Sequence, residues 1–206
     1  MEKELILETK TPVIMEKSTE IEMPLLDTIG QRKSNRAYTE KSVEAEKIQS
    51  LFEAARWAPS SSNEQPWTYI YATKDQLELW NKLFDALNDM NKIWVARAPL
   101  LVMGLVRKNF ISNDRPNVYA HYDLGAANAL LSLQATHMGL NVHQMGGFDR
   151  GKAKTNMNVP DTHEVVVMMA IGYPGDLDKL PENLQQREVA PRQRYVQNEF
   201  VMNKTF

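Results

Sequence analysis

EVVVMMAIGYP (164–174) is the strongest strand in the chain, and Gly172 and Pro174 end it. Three further segments read the same way. APLLVMGLV (98–106) is a buried strand by length and apolarity, and WTYIYAT (67–73) is rich in β-branched and aromatic residues. NVHQM (141–145) is a short strand running into Gly146-Gly147. Helical spacing lies between them. Val43, Ile48, Leu51, Phe52 and Ala55 mark a helix over 43–57 that Pro59 stops. Residues 119–138 form the longest helical segment, with Gly125, Ala126, Ala127 and Ala129 small enough to let another helix approach closely. Leu25, Leu26 and Ile29 suit a short helix ending near Gly30, Asp75 an N-cap for a helix reaching about Leu87, and 148–156 a further helix. The polar stretch 107–118, with Asn113, Asp114 and Pro116, reads as a loop. Helices and strands are interspersed without a clean βαβ rhythm, which predicts an α+β fold rather than a doubly wound one.

The chain has 206 residues, enough for one domain with a sizeable core. Residues 1–23 carry no sustained period and read as an N-terminal arm, although LILE and PVIM leave a strand open there; 24–206 read as a single domain. Apolar residues at 43% and charged residues at 24% describe a folded chain rather than a disordered one. The net charge of −2 argues against nucleic acid as a partner. The absence of cysteine excludes disulfides, thiolate catalysis and a cysteine-held iron–sulfur cluster. No apolar run approaches the roughly 20 residues a membrane helix needs, and the N-terminus lacks the apolar core of a signal peptide, so the expected location is cytoplasmic. His121 and His137 fall on one helix about 160° apart, while His143 lies in a strand and His163 in a turn before one. None has ligand spacing, which argues against a metal site.

Two segments carry chemistry. Gln31-Arg32-Lys33-Ser34-Asn35-Arg36 packs three cations and a hydroxyl into a few residues, and in extended backbone residues 32, 34 and 36 share a side. Guanidiniums and a hydroxyl on one face suit a phosphate and a second electron-rich group; a solvated basic turn is the plainer reading. Ala58-Pro59-Ser60-Ser61-Ser62-Asn63-Glu64-Gln65-Pro66-Trp67 links a helix to a strand. Its amides and hydroxyls suit a planar polar ligand; an ordinary connecting turn is the alternative.

Together these segments resemble the FMN-dependent nitroreductases. Arg-x-Ser-x-Arg is followed by a helix ending in EAARWAPSSSNEQPW. The likeness continues through Asp123-Leu124-Gly125-Ala126-Ala127-Asn128, Met138-Gly139-Leu140, the Gly-Gly-Phe-Asp turn at 146–149, Ile171-Gly172-Tyr173-Pro174 and Pro191-Arg192-Gln193-Arg194. It spans about residues 24–198 and omits the arm.

The resemblance implies a mostly antiparallel central sheet flanked by helices, and two intertwined protomers with two FMN sites at their interface. It implies that Arg32, Lys33, Ser34 and Arg36 hold the flavin from one protomer. Arg32 and Ser34 would face the phosphate end and Arg36 the pyrimidine edge. Arg192 and Arg194 would close on the phosphate. Pro59, Ser60, Ser61 and Asn63 would come from the other protomer, and Met145, Gly146 and Gly147 would line the ring near N5. No Gly-rich phosphate loop exists here, so side chains must hold the phosphate. Many relatives carry an acidic residue where Gly146 stands, which leaves redox potential and acceptor preference open. The 79–118 region has no motif to carry over, and Phe84, Trp94, Phe110 and Tyr119 are candidate walls that also suit core or interface.

The implied reaction is ping-pong transfer of electrons from NADH or NADPH, through flavin N5, to a nitroaromatic, quinone or similar small acceptor. Protein side chains need no acid–base role, because the cofactor supplies the chemistry. The alternatives are reductive dehalogenation or substrate oxidation on the same scaffold, a flavin-binding protein without turnover, and an interaction domain with no cofactor. No ribose-reading motif states the nicotinamide preference.

Overall fold

Leu100 to Val106 are all buried, as a strand packed on both faces must be, and their side chains alternate between two cores. Leu101, Met103 and Leu105 enter one cluster, while Leu100 and Val102 enter the other. The computed structural model describes residues 15–205 and divides them into two compact units, one of residues 26–189 and one of 15–25 with 190–205.

The smaller unit contains β1 (Lys17–Ser18), which pairs antiparallel with a strand at Arg194–Tyr195. Apart from Met15, the LILE and PVIM patches lie outside the described residues. The larger unit begins with α1 (Asp27–Gln31) and α2 (Ala45–Arg56), which buries Ile48, Leu51 and Ala55. After β2 (Trp67–Thr73) come α3 (Leu77–Asp85), α4 (Asp89–Val95) and β3 (Leu100–Arg107). Then follow α5 (Ala120–His137), β4 (Asn141–Met145), α6 (Arg150–Asn156), β5 (His163–Gly172) and α7 (Glu182–Val189), with β6 (Arg194–Tyr195) back in the smaller unit.

Strands β2, β3, β5 and β4 form one antiparallel sheet in that order. Helices α2 and α5 cover one face with the cluster of Leu51, Leu100, Val102, Leu131, Ala135, Met169 and Ile171. Helices α3, α4 and α6 contribute Trp80, Leu83, Trp94 and Ala153 to the other, against Leu101, Met103 and Met168. This is the expected α+β arrangement of a central antiparallel sheet flanked by helices.

Several boundaries differ from expectation. Asp75 lies in a turn; Gln76 occupies the N-cap of α3 without a side-chain cap bond, and that helix ends at Asp85, not Leu87. The helix expected from residue 148 starts at Arg150 because Asp149 caps it, accepting from the Lys152 amide at 2.9 Å. His163 opens β5 rather than preceding it. Helices α4 and α7 were not anticipated. The former is one seven-residue turn pair capped by Asn88, and the latter buries only Leu184, so neither carries a long apolar period.

Candidate active site

The cationic segment meets β4 at Asn35. Asn35 donates through Nδ2 to Asn141 Oδ1 at 3.4 Å, and its carbonyl oxygen lies 3.3 Å from His143 Nδ1. A carbonyl only accepts, so His143 carries its proton on Nδ1. Since β4 ends at Met145, the same strand that aligns the cationic segment delivers Gly146 and Gly147. Thus the segment holding Arg32, Lys33, Ser34 and Arg36 meets, through Asn35, the strand that leads into Met145, Gly146 and Gly147, all within the larger unit. Arg32 Nη1 lies 3.5 Å from Ser34 Oγ, the long end of a hydrogen bond, so those two side chains share a side as the extended reading predicts. Lys33 and Ser34 are exposed, and Arg32 is half-buried.

The two glycines have different reasons for being glycine. A Cβ on Gly146 would meet nothing within 4 Å, so its outer side is open. A Cβ on Gly147 would lie 2.5 Å from Asn88 Nδ2 and 2.8 Å from Asn91 Nδ2. The Gly147 carbonyl accepts from the Asn88 amide at 3.1 Å and from Asn91 Nδ2 at 2.9 Å, while Asn88 Oδ1 caps the Asn91 amide at 2.9 Å. The first turn of α4 therefore clamps the glycine turn from behind. Sequence reasoning missed Asn88 and Asn91; the N-D-M-N string before Ile93 and Trp94 was the available capping signal.

Arg36 has an unanticipated partner. Glu188, in the last turn of α7, accepts through Oε1 from the Arg36 amide at 2.9 Å and from Arg36 Nη1 at 3.2 Å. The carboxylate side chain is 4% exposed and the arginine's 23%. Beneath them, Tyr38 donates to the Ala170 carbonyl at 3.0 Å, and burial, reinforced by the Glu188 charge, pushes its phenol well above the usual range. Burial, with the Arg36 charge second, pulls His143 down to about 4, so its imidazole is neutral at neutral pH. Trp94 packs on His143 with ring centroids 4.6 Å apart and on Tyr38 at 6.2 Å.

Pro59, Ser60, Ser61 and Asn63 stand elsewhere on the same chain. Their loop leads into β2, one edge of the sheet, whereas the glycine turn follows β4, the other edge. Three interstrand gaps put these edges roughly 14 Å apart. The loop is shaped tightly. Ser62, Asn63 and Gln65 adopt left-handed backbone with φ of 53°, 55° and 48°. Such geometry costs a non-glycine residue on the order of 1–3 kcal/mol and persists where surroundings impose it. Here the Ser61 amide donates to buried Asp123 Oδ2 at 3.1 Å, the Gln65 amide to Ser60 Oγ at 3.0 Å, and Arg107 Nη2 to the Glu64 carbonyl at 3.0 Å.

The remaining candidates separate by burial. Trp94 is core, Phe84 stacks on Trp80 at 4.7 Å, and Phe110 helps line a cavity of about 410 Å³ beside Arg107 and Thr162. Tyr119 is exposed. In the smaller unit, Arg194 donates through Nη1 to the Gln193 carbonyl at 2.8 Å, and Arg192 is half-buried. Among the described residues no group of three His, Cys, Asp or Glu is placed to hold a metal, and no helix is long and apolar enough to cross a membrane.

The model of the Nitroreductase family matches residues 29–93 and 78–173. A solved structure described as an oxidoreductase containing FMN is 32% identical, with a TM-score of 0.86, and the match covers 91% of this chain and 95% of that one. An Archaeoglobus fulgidus protein, provisionally named NADH dehydrogenase/NAD(P)H nitroreductase, is 28% identical over 155 residues, covering 73% of this chain and 86% of its own. An uncharacterised 15.4 kDa protein of Mycolicibacterium smegmatis is 35% identical over 82 residues, and the match spans 40% of this chain and only 55% of that protein. The chain belongs to the nitroreductase family.

Proposed function

We propose that this protein is an FMN-dependent oxidoreductase that takes electrons from NADH or NADPH and passes them to a small organic acceptor. One observation carries the reading. A cationic segment meets, at Asn35, a strand that ends in an open glycine turn, a pairing that suits charge for a phosphate and bare backbone for a ring edge. The residues fit the group. Arg32 and Ser34 suit the phosphate end, Arg36 the pyrimidine edge, and Gly146, backed by Met145, leaves the amides free to approach the ring. For Arg192 and Arg194 the assignment to the phosphate rests on the resemblance alone.

Pro59, Ser60, Ser61 and Asn63 then belong to a second copy, because their own copy places them on the opposite sheet edge. Helix α5 supports such a partner. It buries Leu124, Ala127 and Leu131, yet also presents Tyr122 at 79% exposure, with Gly125 and Ala129 exposed on following turns and Val118 at 77% just before it. A helix apolar on more than its core face has a further surface to cover. We infer a homodimer with the cofactor at its interface.

Bound FMN supplies hydride acceptance and donation at its N5. The protein binds and orients it, holds the ring edge with the Gly146–Gly147 backbone, and excludes water with the second copy. The cycle is ping-pong, the acceptors nitroaromatics or quinones, and the setting cytoplasmic. FMN-reconstituted protein should bleach from yellow when NADH or NADPH is added without oxygen and recolour on addition of a quinone. Initial rates against both substrates should give parallel double-reciprocal lines. Protein that binds FMN but is not bleached by either nicotinamide would contradict the electron source, and intersecting lines the ping-pong order.

A further inference from the structure

We propose that Glu188 is the positioning residue for Arg36, holding it at the flavin edge and offsetting its charge, so that Glu188 sets how strongly the protein favours reduced over oxidised FMN. The inference rests on the function proposed above.

Helix α7 gives little reason to bury an acid. Its sequence ENLQQREV is polar, and only Leu184 lies in the core. Even so, the Glu188 side chain is 4% exposed. A carboxylate goes inside only where donors replace its water. Two donors of Arg36, the backbone amide at 2.9 Å and Nη1 at 3.2 Å, meet on one of the Glu188 oxygens. The backbone bond fixes the chain between Ser34 and Tyr38. The side-chain bond fixes the direction of the guanidinium.

Two titratable groups packed close to the pair are uncharged at neutral pH. Tyr38 is buried and remains a phenol, and His143, across from Asn35, is neutral. A lone Arg36 would present a full positive charge to whatever lies beside it. Paired with a buried carboxylate, it keeps its remaining guanidinium donors but presents a dipole. Reduced FMN carries negative charge along the N1–C2 oxygen edge, so the pairing tempers the preference for the reduced form that Arg36 alone would impose.

Glutamine at 188 separates holding from charge. Its carbonyl oxygen can still accept from the Arg36 amide, but the negative charge is gone. In FMN-loaded protein titrated against a reference dye, Glu188→Gln should raise the ratio of reduced to oxidised FMN affinity about tenfold, a potential about 30 mV higher for a two-electron couple. Oxidised FMN affinity should stay within about threefold. Arg36→Gln should move the potential the other way. If Glu188→Gln does not fold, Glu188→Ala is read by the same titration. Protein that takes up no FMN overturns the proposed function itself. FMN-loaded Arg36→Gln with an unchanged potential overturns the placement of Arg36 and this inference with it. A shifted Arg36→Gln beside an unshifted Glu188 variant overturns the role of Glu188 alone, leaving it a structural acid.

Discussion

His143 ties the candidate site to stability through a single proton. Its folded pKa, about 4, lies below the ordinary 6.5, with burial the first cause and the Arg36 charge the second. The unfolded chain therefore binds a proton between those values that the folded chain refuses. By linkage, stability is fully present above pH 6.5 and is lost as pH falls towards 4, at a cost of roughly 3 kcal/mol over the window. His143→Gln keeps a donor for the Asn35 carbonyl but does not titrate. Urea unfolding of both proteins across this range should show the wild-type curve falling more steeply by about that amount. Parallel curves would mean that the imidazole is solvated and accepts its proton freely. The candidate residues themselves were legible early, since Arg-x-Ser-x-Arg and the glycine pair stand out as strings. Glu188 was not. It is more than 150 positions from Arg36, in a polar segment with no periodicity to announce a buried face, and only the tertiary fold brings the two together.

Elements with strong periods declared themselves, whereas α4 and α7, short and without a long apolar period, did not. Strand β2 begins and ends where its β-branched and aromatic run does, and α5 follows its apolar spacing. Helix α4 is short and owes its start to Asn88, so hydrophobic periodicity alone passes over it. That helix also decides the shape of the glycine turn. Gly147→Ala places a methyl against the Asn88 and Asn91 amides, so it should disrupt the cap and its bond to the Gly147 carbonyl. The expected loss is about 1–2 kcal/mol by denaturant unfolding. Gly146→Ala meets open space and should change stability by no more than about 0.5 kcal/mol. Equal losses would show that α4 does not clamp the turn. The strained loop before β2 was likewise readable as a loop, but its three left-handed residues and its tie to Asp123 were not, because no local string encodes a buried acceptor 62 residues away.

At the scale of the whole molecule, the α+β class followed from the order of helices and strands, whereas a structural argument for the proposed second copy comes only from the sheet. The strand order sends the two halves of the proposed site to opposite edges of one chain, and α5 exposes Tyr122 where a partner would cover it. The central claim, FMN held between two copies, is tested most directly by sedimentation velocity with protein and flavin absorbance followed together. The flavin should travel with a species of twice the 23.6 kDa chain mass, two FMN per dimer, down to low micromolar protein. Tyr122→Glu should shift protein to the monomer and leave the flavin unsedimented. Flavin travelling with a monomer, or a dimer that excludes flavin, would contradict the account.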